Sequence, residues 1–154
     1  MSEYIHKKHN VSVLMYHIVC PAKYRFAIFS KEVDKVLRDT CLEISKRYEI
    51  IFIEIGVDKD HVHFLVQSVP TYSPKKVVQT IKSITAREIF KKVPSVKREL
   101  WGGEFWTDGY FISTVGKHGN EEMIGNYVKN QGGESYQSLH KQKVKENPTQ
   151  LSFF

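Results

Sequence analysis

His61 and His63 flank a single valine in a segment that reads as a β-strand. Residues two apart on a strand leave the same face, so both imidazoles can converge on one ion. A chain with seven histidines can also carry such a pair by coincidence, as surface or sheet-face residues. Farther along, Tyr127 and Gln131 stand four apart in a helical pattern and therefore share one face. A tyrosine becomes a covalent nucleophile when a metal or base lowers the cost of its phenolate. Gln131 offers a carbonyl oxygen, which a hard divalent cation accepts. Ile124 and Val128 lie on the same stripe, so core packing is the competing reading of Tyr127.

The elements that would position these residues follow from periodicity. Residues 11–20 are β-branched and apolar and predict a strand closed by Pro21, followed by a short basic and aromatic connection, Lys23-Tyr24-Arg25. Ser30 is a good N-cap, and Val33, Val36, Leu37, Cys41, Ile44 and Tyr48 recur at helical spacing to about Arg47. Residues 50–57 and 61–69 predict two strands joined by the polar turn Asp58-Lys59-Asp60, an antiparallel hairpin. Ser73 and Pro74 form an N-cap and N1 pair for a helix to about Lys92, closed by Pro94. Residues 105–115 predict a fourth strand, with Gly109 as a bulge or close-approach point. Asn120 caps a third helix to about residue 130 or 131.

The order βαββαβ plus one helix predicts an α+β, ferredoxin-like antiparallel sheet with two helices on one face. The first and third strands are central in that arrangement, so the histidines would sit mid-sheet. With 154 residues a single domain is expected, spanning 1–137, with a polar C-terminal tail over 138–154.

Net charge is +6 at pH 7, and its distribution is uneven. Between Thr71 and Gly103 stand Lys75, Lys76, Lys82, Arg87, Lys91, Lys92, Lys97 and Arg98 against only Glu88 and Glu99, so this stretch carries the whole excess. A localised basic surface suits a polyanion, although a solvated helix face has the same composition. Cys20 and Cys41 are too few and too far apart for a disulfide framework or a metal clamp. No apolar run is long enough to span a bilayer, and the polar first ten residues resemble no export signal, which predicts a cytoplasmic, non-membrane protein. Thr114-Val115-Gly116-Lys117 echoes the end of a phosphate-binding loop, but no glycine stands five residues before Gly116.

Three runs, taken in order, are more specific than any one alone. They are Tyr16-His17-Ile18-Val19-Cys20-Pro21-Ala22-Lys23-Tyr24-Arg25, then Asp58-Lys59-Asp60-His61-Val62-His63-Phe64-Leu65, then Asn126-Tyr127-Val128-Lys129-Asn130-Gln131. With Phe111-Ile112-Ser113-Thr114-Val115-Gly116, they resemble the small single-tyrosine transposases of bacterial insertion sequences, of the TnpA type, within the His-hydrophobe-His endonuclease superfamily. The similarity covers roughly residues 10 to 135. It implies that His61, His63 and Gln131 hold a divalent cation, magnesium or manganese, and that Tyr127 is the nucleophile. It implies a 5′-phosphotyrosine intermediate, cleavage and strand transfer of single-stranded DNA beside hairpins at the element ends, and a homodimer with the tyrosine helix acting in trans. Gly116 to Asn120 would be the hinge for that exchange. Phosphate contacts would come from Lys23, Arg25, Lys75, Lys76, Lys82 and Arg87, with Tyr24 available for stacking.

Three other readings compete. A domesticated relative could use the same chemistry on repetitive extragenic palindromes. A non-catalytic single-strand binder would need exposed aromatics on the central strands. A metal- or metabolite-binding regulator would have no use for a nucleophilic Tyr127.

Overall fold

The computed structural model describes residues 5–116. The expected third helix, with Tyr127 and Gln131, and the tail over 138–154 lie outside the described residues. The elements in chain order are β1 (Ile5–His6), β2 (Val11–Ser12), β3 (Leu14–Pro21), a 3₁₀ turn (Lys23–Arg25) and α1 (Lys31–Arg47). They continue with β4 (Ile51–Val57), β5 (His61–Ser68), α2 (Pro74–Lys92), α3 (Pro94–Glu99) and β6 (Phe111–Val115). The main sheet has the order β4-β5-β3-β6 and is antiparallel throughout. This is the ferredoxin-like arrangement, with β3 and the histidine-bearing β5 in the centre.

Alternation along the strands divides the sheet into two faces. Tyr16, Ile18 and Cys20 of β3 and Val62, Phe64 and Val66 of β5 point into the main core. There they meet Val33, Leu37, Cys41 and Ile44 of α1 and Val77, Val78, Ile81 and Ile89 of α2. The opposite face carries a smaller cluster at one end, built from Ile5, Met15, Ile51, Ile53, Leu65, Val69 and Val115. The histidines lie on that same face. Both main helices start as their capping residues dictate. Ser30 Oγ accepts from the Val33 amide at 3.2 Å and Ser73 Oγ from the Lys76 amide at 3.0 Å, with Pro74 at the first helical position.

Three expectations need correction. The first strand is broken: Val11–Ser12 pairs with Ile5–His6 in a separate ribbon, and the sheet strand proper runs Leu14–Pro21. An unbroken β-prone run does not reveal where the chain changes partner. Pro94 does not simply end a helix, because it occupies the first turn of the short α3. The fourth strand is confined to Phe111–Val115, and Gly109 stands in the loop before it rather than in a bulge.

That loop is held by burial and by a short antiparallel bridge, Ala22 with Trp106, in which the Lys23 amide donates to the Phe105 carbonyl at 2.8 Å and the Thr107 amide to that of Pro21 at 3.0 Å. Phe105 and Trp106 insert into the core, and Trp106 Nε1 donates to Thr85 Oγ1 at 3.0 Å. Thr85 in turn donates to the Ile81 carbonyl at 2.6 Å, so its hydroxyl satisfies two buried groups at once. Thr85→Val keeps the shape but leaves the indole N–H without an acceptor inside the core. We expect a loss of ~1–3 kcal/mol in stability, measurable by urea unfolding. An unchanged midpoint would show that the bond contributes nothing.

Candidate active site

β5 opens with His61, so its first and third residues both point to the face opposite the helices. Their rings meet at a centroid distance of 4.8 Å with planes 72° apart. His61 is partly exposed, whereas His63 is buried at 3 % exposure. The polar turn between β4 and β5 directs His61. Its Nδ1 lies 2.7 Å from Asp60 Oδ1. An ionised carboxylate can only accept, so Nδ1 carries a proton, and Nε2 is the ring nitrogen left to face a cation. Asp58 Oδ2 stands 3.7 Å from that Nε2. Asp60 is itself fixed by Arg25, whose Nε donates to Oδ2 at 3.0 Å. The hydrogen bond from His61, and then that from Arg25, hold the Asp60 carboxyl below the usual carboxylate range.

His63 is oriented by a third histidine. Register pairs Val19 with His63 and His17 with Leu65, which places His17 diagonally next to His63 on the same face. His17 Nε2 lies 3.2 Å from His63 Nδ1, and the two rings are nearly parallel, 5.4 Å apart. Phe111 of β6 closes on His17 edge-on at 6.3 Å. Burial, and then the neighbouring charges of His61 and His17, push the His63 pKa down to about 4. Burial also lowers that of His17. The buried imidazole of His63 is therefore neutral at neutral pH, the state in which a histidine binds a metal.

This donor set suits a cation: two imidazoles converge, and each already has its Nδ1 engaged with an orienting partner. Among the described residues, no group of three or more His, Cys, Asp or Glu side chains is placed to hold a metal by itself. A further ligand would have to come from elsewhere, and Gln131 lies outside the described residues. The cysteines contribute nothing here. Cys20 and Cys41 are buried in the main core, and burial raises both thiols, that of Cys20 to about 12.

Asp58, Asp60 and His17 were not selected from the sequence as site residues. The two aspartates read only as turn formers, and the weight of His17 depends on a strand register that one sequence does not disclose.

The expected DNA-contacting residues separate into two groups. Lys23, Tyr24 and Arg25 lie beside the histidines, since Arg25 reaches Asp60 and the Ala22 amide donates to the Asp60 carbonyl at 2.8 Å. The residues of α2 are on the other side of the sheet. Lys75, Lys76 and Arg87 are exposed on the outer surface of a helix whose inner surface covers the main core. Lys82 is only partly exposed, and its ammonium donates to the Thr107 carbonyl at 2.7 Å, with those of Asp108 and Gly109 nearby. It pins the loop before β6. The open face of the central strands carries no Phe, Tyr or Trp, which removes the feature a base-stacking RNA-recognition sheet requires.

A ferredoxin-like sheet with a His-hydrophobe-His pair opposite its helices is the layout of a small transposase of the His-hydrophobe-His class. Residues 10–131 match the model of the family described as transposase IS200 like, and the chain belongs to that family. It is therefore a transposase, an enzyme that cleaves DNA. The chain is 32% identical over 118 residues to the ISDra2 transposase TnpA of Deinococcus radiodurans, covering 77% of this chain and 84% of that protein. It is 28% identical over 116 residues to the transposase for insertion sequence element IS200 of Salmonella typhimurium, covering 75% of each. A crystal structure from Deinococcus radiodurans R1, of a protein assigned as a transposase, superposes with a TM-score of 0.67 at 28% identity. That match covers 84% of this chain and 99% of the other. A REP-associated tyrosine transposase bound to a REP hairpin gives a TM-score of 0.50 at 11% identity, covering 85% and 70%, and so shares the fold. Among the described residues, no helix is long and apolar enough to cross a membrane.

Proposed function

We propose that this chain cuts and rejoins single-stranded DNA at the ends of an insertion sequence, with Tyr127 as nucleophile and His61, His63 and Gln131 as ligands of a divalent cation. The convergence of His61 and His63, each steered through Nδ1, is the observation that carries this reading. A magnesium or manganese ion held there would act as a Lewis acid on a phosphate oxygen. The chain's residues do the rest. His61 presents Nε2 because Asp60 accepts its Nδ1 proton, and Arg25 keeps Asp60 from turning away. His63 would present its own Nε2, with Nδ1–H donating to His17. Asp58 adds negative charge beside the pair.

Tyr127 attacks phosphorus through its phenolate oxygen, and the bond from phosphorus to the 3′ oxygen breaks. The departing electron pair stays on that oxygen, which takes up a proton to become a 3′-hydroxyl. The 5′-phosphate remains esterified to Tyr127, so the reverse attack by another 3′-hydroxyl rejoins strands without ATP. Hairpin recognition is proposed on the likeness in fold to the hairpin-bound transposase and on the basic residues Lys23 and Arg25 beside the site. Lys75, Lys76 and Arg87 would contact phosphates only of DNA that passes round an edge of the sheet. We further propose that the chain works as a homodimer with Tyr127 acting in trans, and that it acts in the cytoplasm.

The test is incubation of the full chain with a hairpin oligonucleotide bearing a single-stranded 5′ tail. Cleavage of the tail with added magnesium or manganese, and none with EDTA, is expected. Equal cleavage in EDTA would contradict a metal-assisted site.

A further inference from the structure

Next to the histidines, the connection after β3 makes an exposed aromatic group. Trp101 is 74% exposed, Tyr24 49% and Phe26 43%. The Trp101 and Tyr24 rings lie 6.2 Å apart with planes 28° from parallel, and Phe26 is 5.5 Å from Tyr24. Water is a poor solvent for three large rings, and folded chains seldom gather them outside without a ligand to cover them.

The backbone works to keep them there. Tyr24 and Arg25 both take positive φ, 59° and 55°, a conformation that costs a non-glycine residue on the order of 1–3 kcal/mol. Hydrogen bonds hold the strained turn from both sides. The Ala22 amide donates to the Asp60 carbonyl at 2.8 Å and the Lys23 amide to that of Phe105 at 2.8 Å, while Lys23 Nζ pairs with Glu104 at 2.6 Å. On the opposite wall, Gly102 and Gly103 at φ 110° and 79° turn the chain directly after Trp101. No other residue would adopt the Gly102 geometry without strain. Two unusual turns thus bring one aromatic group together.

Its surroundings point to the ligand. Lys23 Nζ sits 5.5 Å over the Tyr24 ring and Arg25 is exposed at the same turn, each also paired with a carboxylate, Glu104 and Asp60, while Arg98 precedes Trp101 on α3 and Lys97 lies over Phe90. Rings interleaved with cations suit a ligand that has flat faces and a chain of negative charge. Aromatic rings with arginine also make protein-binding hot spots, so the nearness of the group to the histidine pair is what favours DNA here. Arg25, one residue from Tyr24, reaches Asp60 and through it His61, so the aromatic group and the histidine pair are two bonded contacts apart.

We propose that Trp101, Tyr24 and Phe26 form a stacking platform for unpaired nucleobases, which seats single-stranded DNA next to the His61–His63 pair. The platform rests on the nucleic-acid-cleaving reading of that site, but it is tested without any cleavage.

The probe is Trp101 itself, because the chain's second tryptophan, Trp106, is buried with its N–H bonded to Thr85. The full chain in EDTA is titrated with a thymidine oligonucleotide of about twelve nucleotides, within the ~4–16 typical of single-strand sites. A parallel titration uses an abasic deoxyribose-phosphate strand of equal charge. Quenching of Trp101 by the thymidine strand, with binding roughly tenfold or more tighter than to the abasic strand, is expected. Trp101→Ala should remove the quenching and weaken thymidine-strand binding by a similar factor, measured by anisotropy of a labelled strand. Trp101→Phe should restore most of the affinity. Equal affinity for the two strands, unchanged binding by Trp101→Ala, or emission that follows protein concentration instead of added DNA would each overturn the platform. The last of these would assign the patch to a second copy of the chain. Loss of nicking by a Tyr127→Phe variant would leave these titrations unchanged, so the two readings fail separately.

Discussion

Tyr127→Phe is expected to abolish strand cleavage while hairpin binding stays within about twofold of the parent. The substitution removes one oxygen, the atom proposed to form the bond to phosphorus, and keeps the aromatic ring. Removing a covalent nucleophile costs on the order of 10³–10⁶ in rate in enzymes where it has been done, since water cannot replace a positioned group. The separation of the two readouts matters. A structural tyrosine would lower binding and folding together, whereas a nucleophile lowers only the chemistry. Gel-shift titration with a hairpin oligonucleotide, alongside a cleavage time course, measures both. Cleavage by the variant at the parent rate would remove Tyr127 from the mechanism.

The second large effect concerns the sheet. His61→Ala and His63→Ala should each end cleavage that depends on added magnesium or manganese, and the double variant should be no worse than either single one. Partners that merely orient a ligating histidine are worth about 10–100-fold in metal affinity, so loss of a ligand itself should exceed that. The two positions differ in their effect on folding. His61 is partly exposed at the start of β5, and its removal should leave stability nearly unchanged. His63 is buried against His17, so His63→Ala opens a gap in the sheet face and should lower stability as well. Calorimetric titration with manganese and thermal unfolding of each variant separate the effects. Manganese binding of parent strength in the double variant would place the cation elsewhere.

The parts of this molecule that a sequence can disclose are those set by neighbours along the chain. Ser30 and Ser73 cap their helices because a hydroxyl reaches an amide three residues on, and both appear as expected. The side-by-side exit of His61 and His63 follows from the two-residue period of a strand. The central position of β5 follows from the order of the elements. What depended on non-local pairing was hidden. His17 joins the site only through the β3–β5 register. Asp60 changes from turn former to orienting carboxylate only when Arg25, 35 residues earlier, arrives at its other oxygen. Lys82 counted as part of a basic helix face, yet three carbonyls of a loop that belongs to no element capture its ammonium. The gathering of Trp101 with Tyr24 required positive φ at Tyr24, Arg25, Gly102 and Gly103, and for the first two residues nothing in their type suggests it.

In the proposed reaction a tyrosine takes over a DNA phosphate with help from a sheet-mounted histidine pair. The most direct test is to quench a reaction of the full chain with a 5′-tailed hairpin oligonucleotide and magnesium by boiling in detergent. The protein is then digested and any nucleotide-bearing peptide identified by mass. A 5′-phosphate ester on Tyr127, lost when EDTA is present or when both His61 and His63 are alanine, is the result predicted. A nucleotide on another side chain, or a cleaved strand with no covalent adduct at any time point, would contradict it.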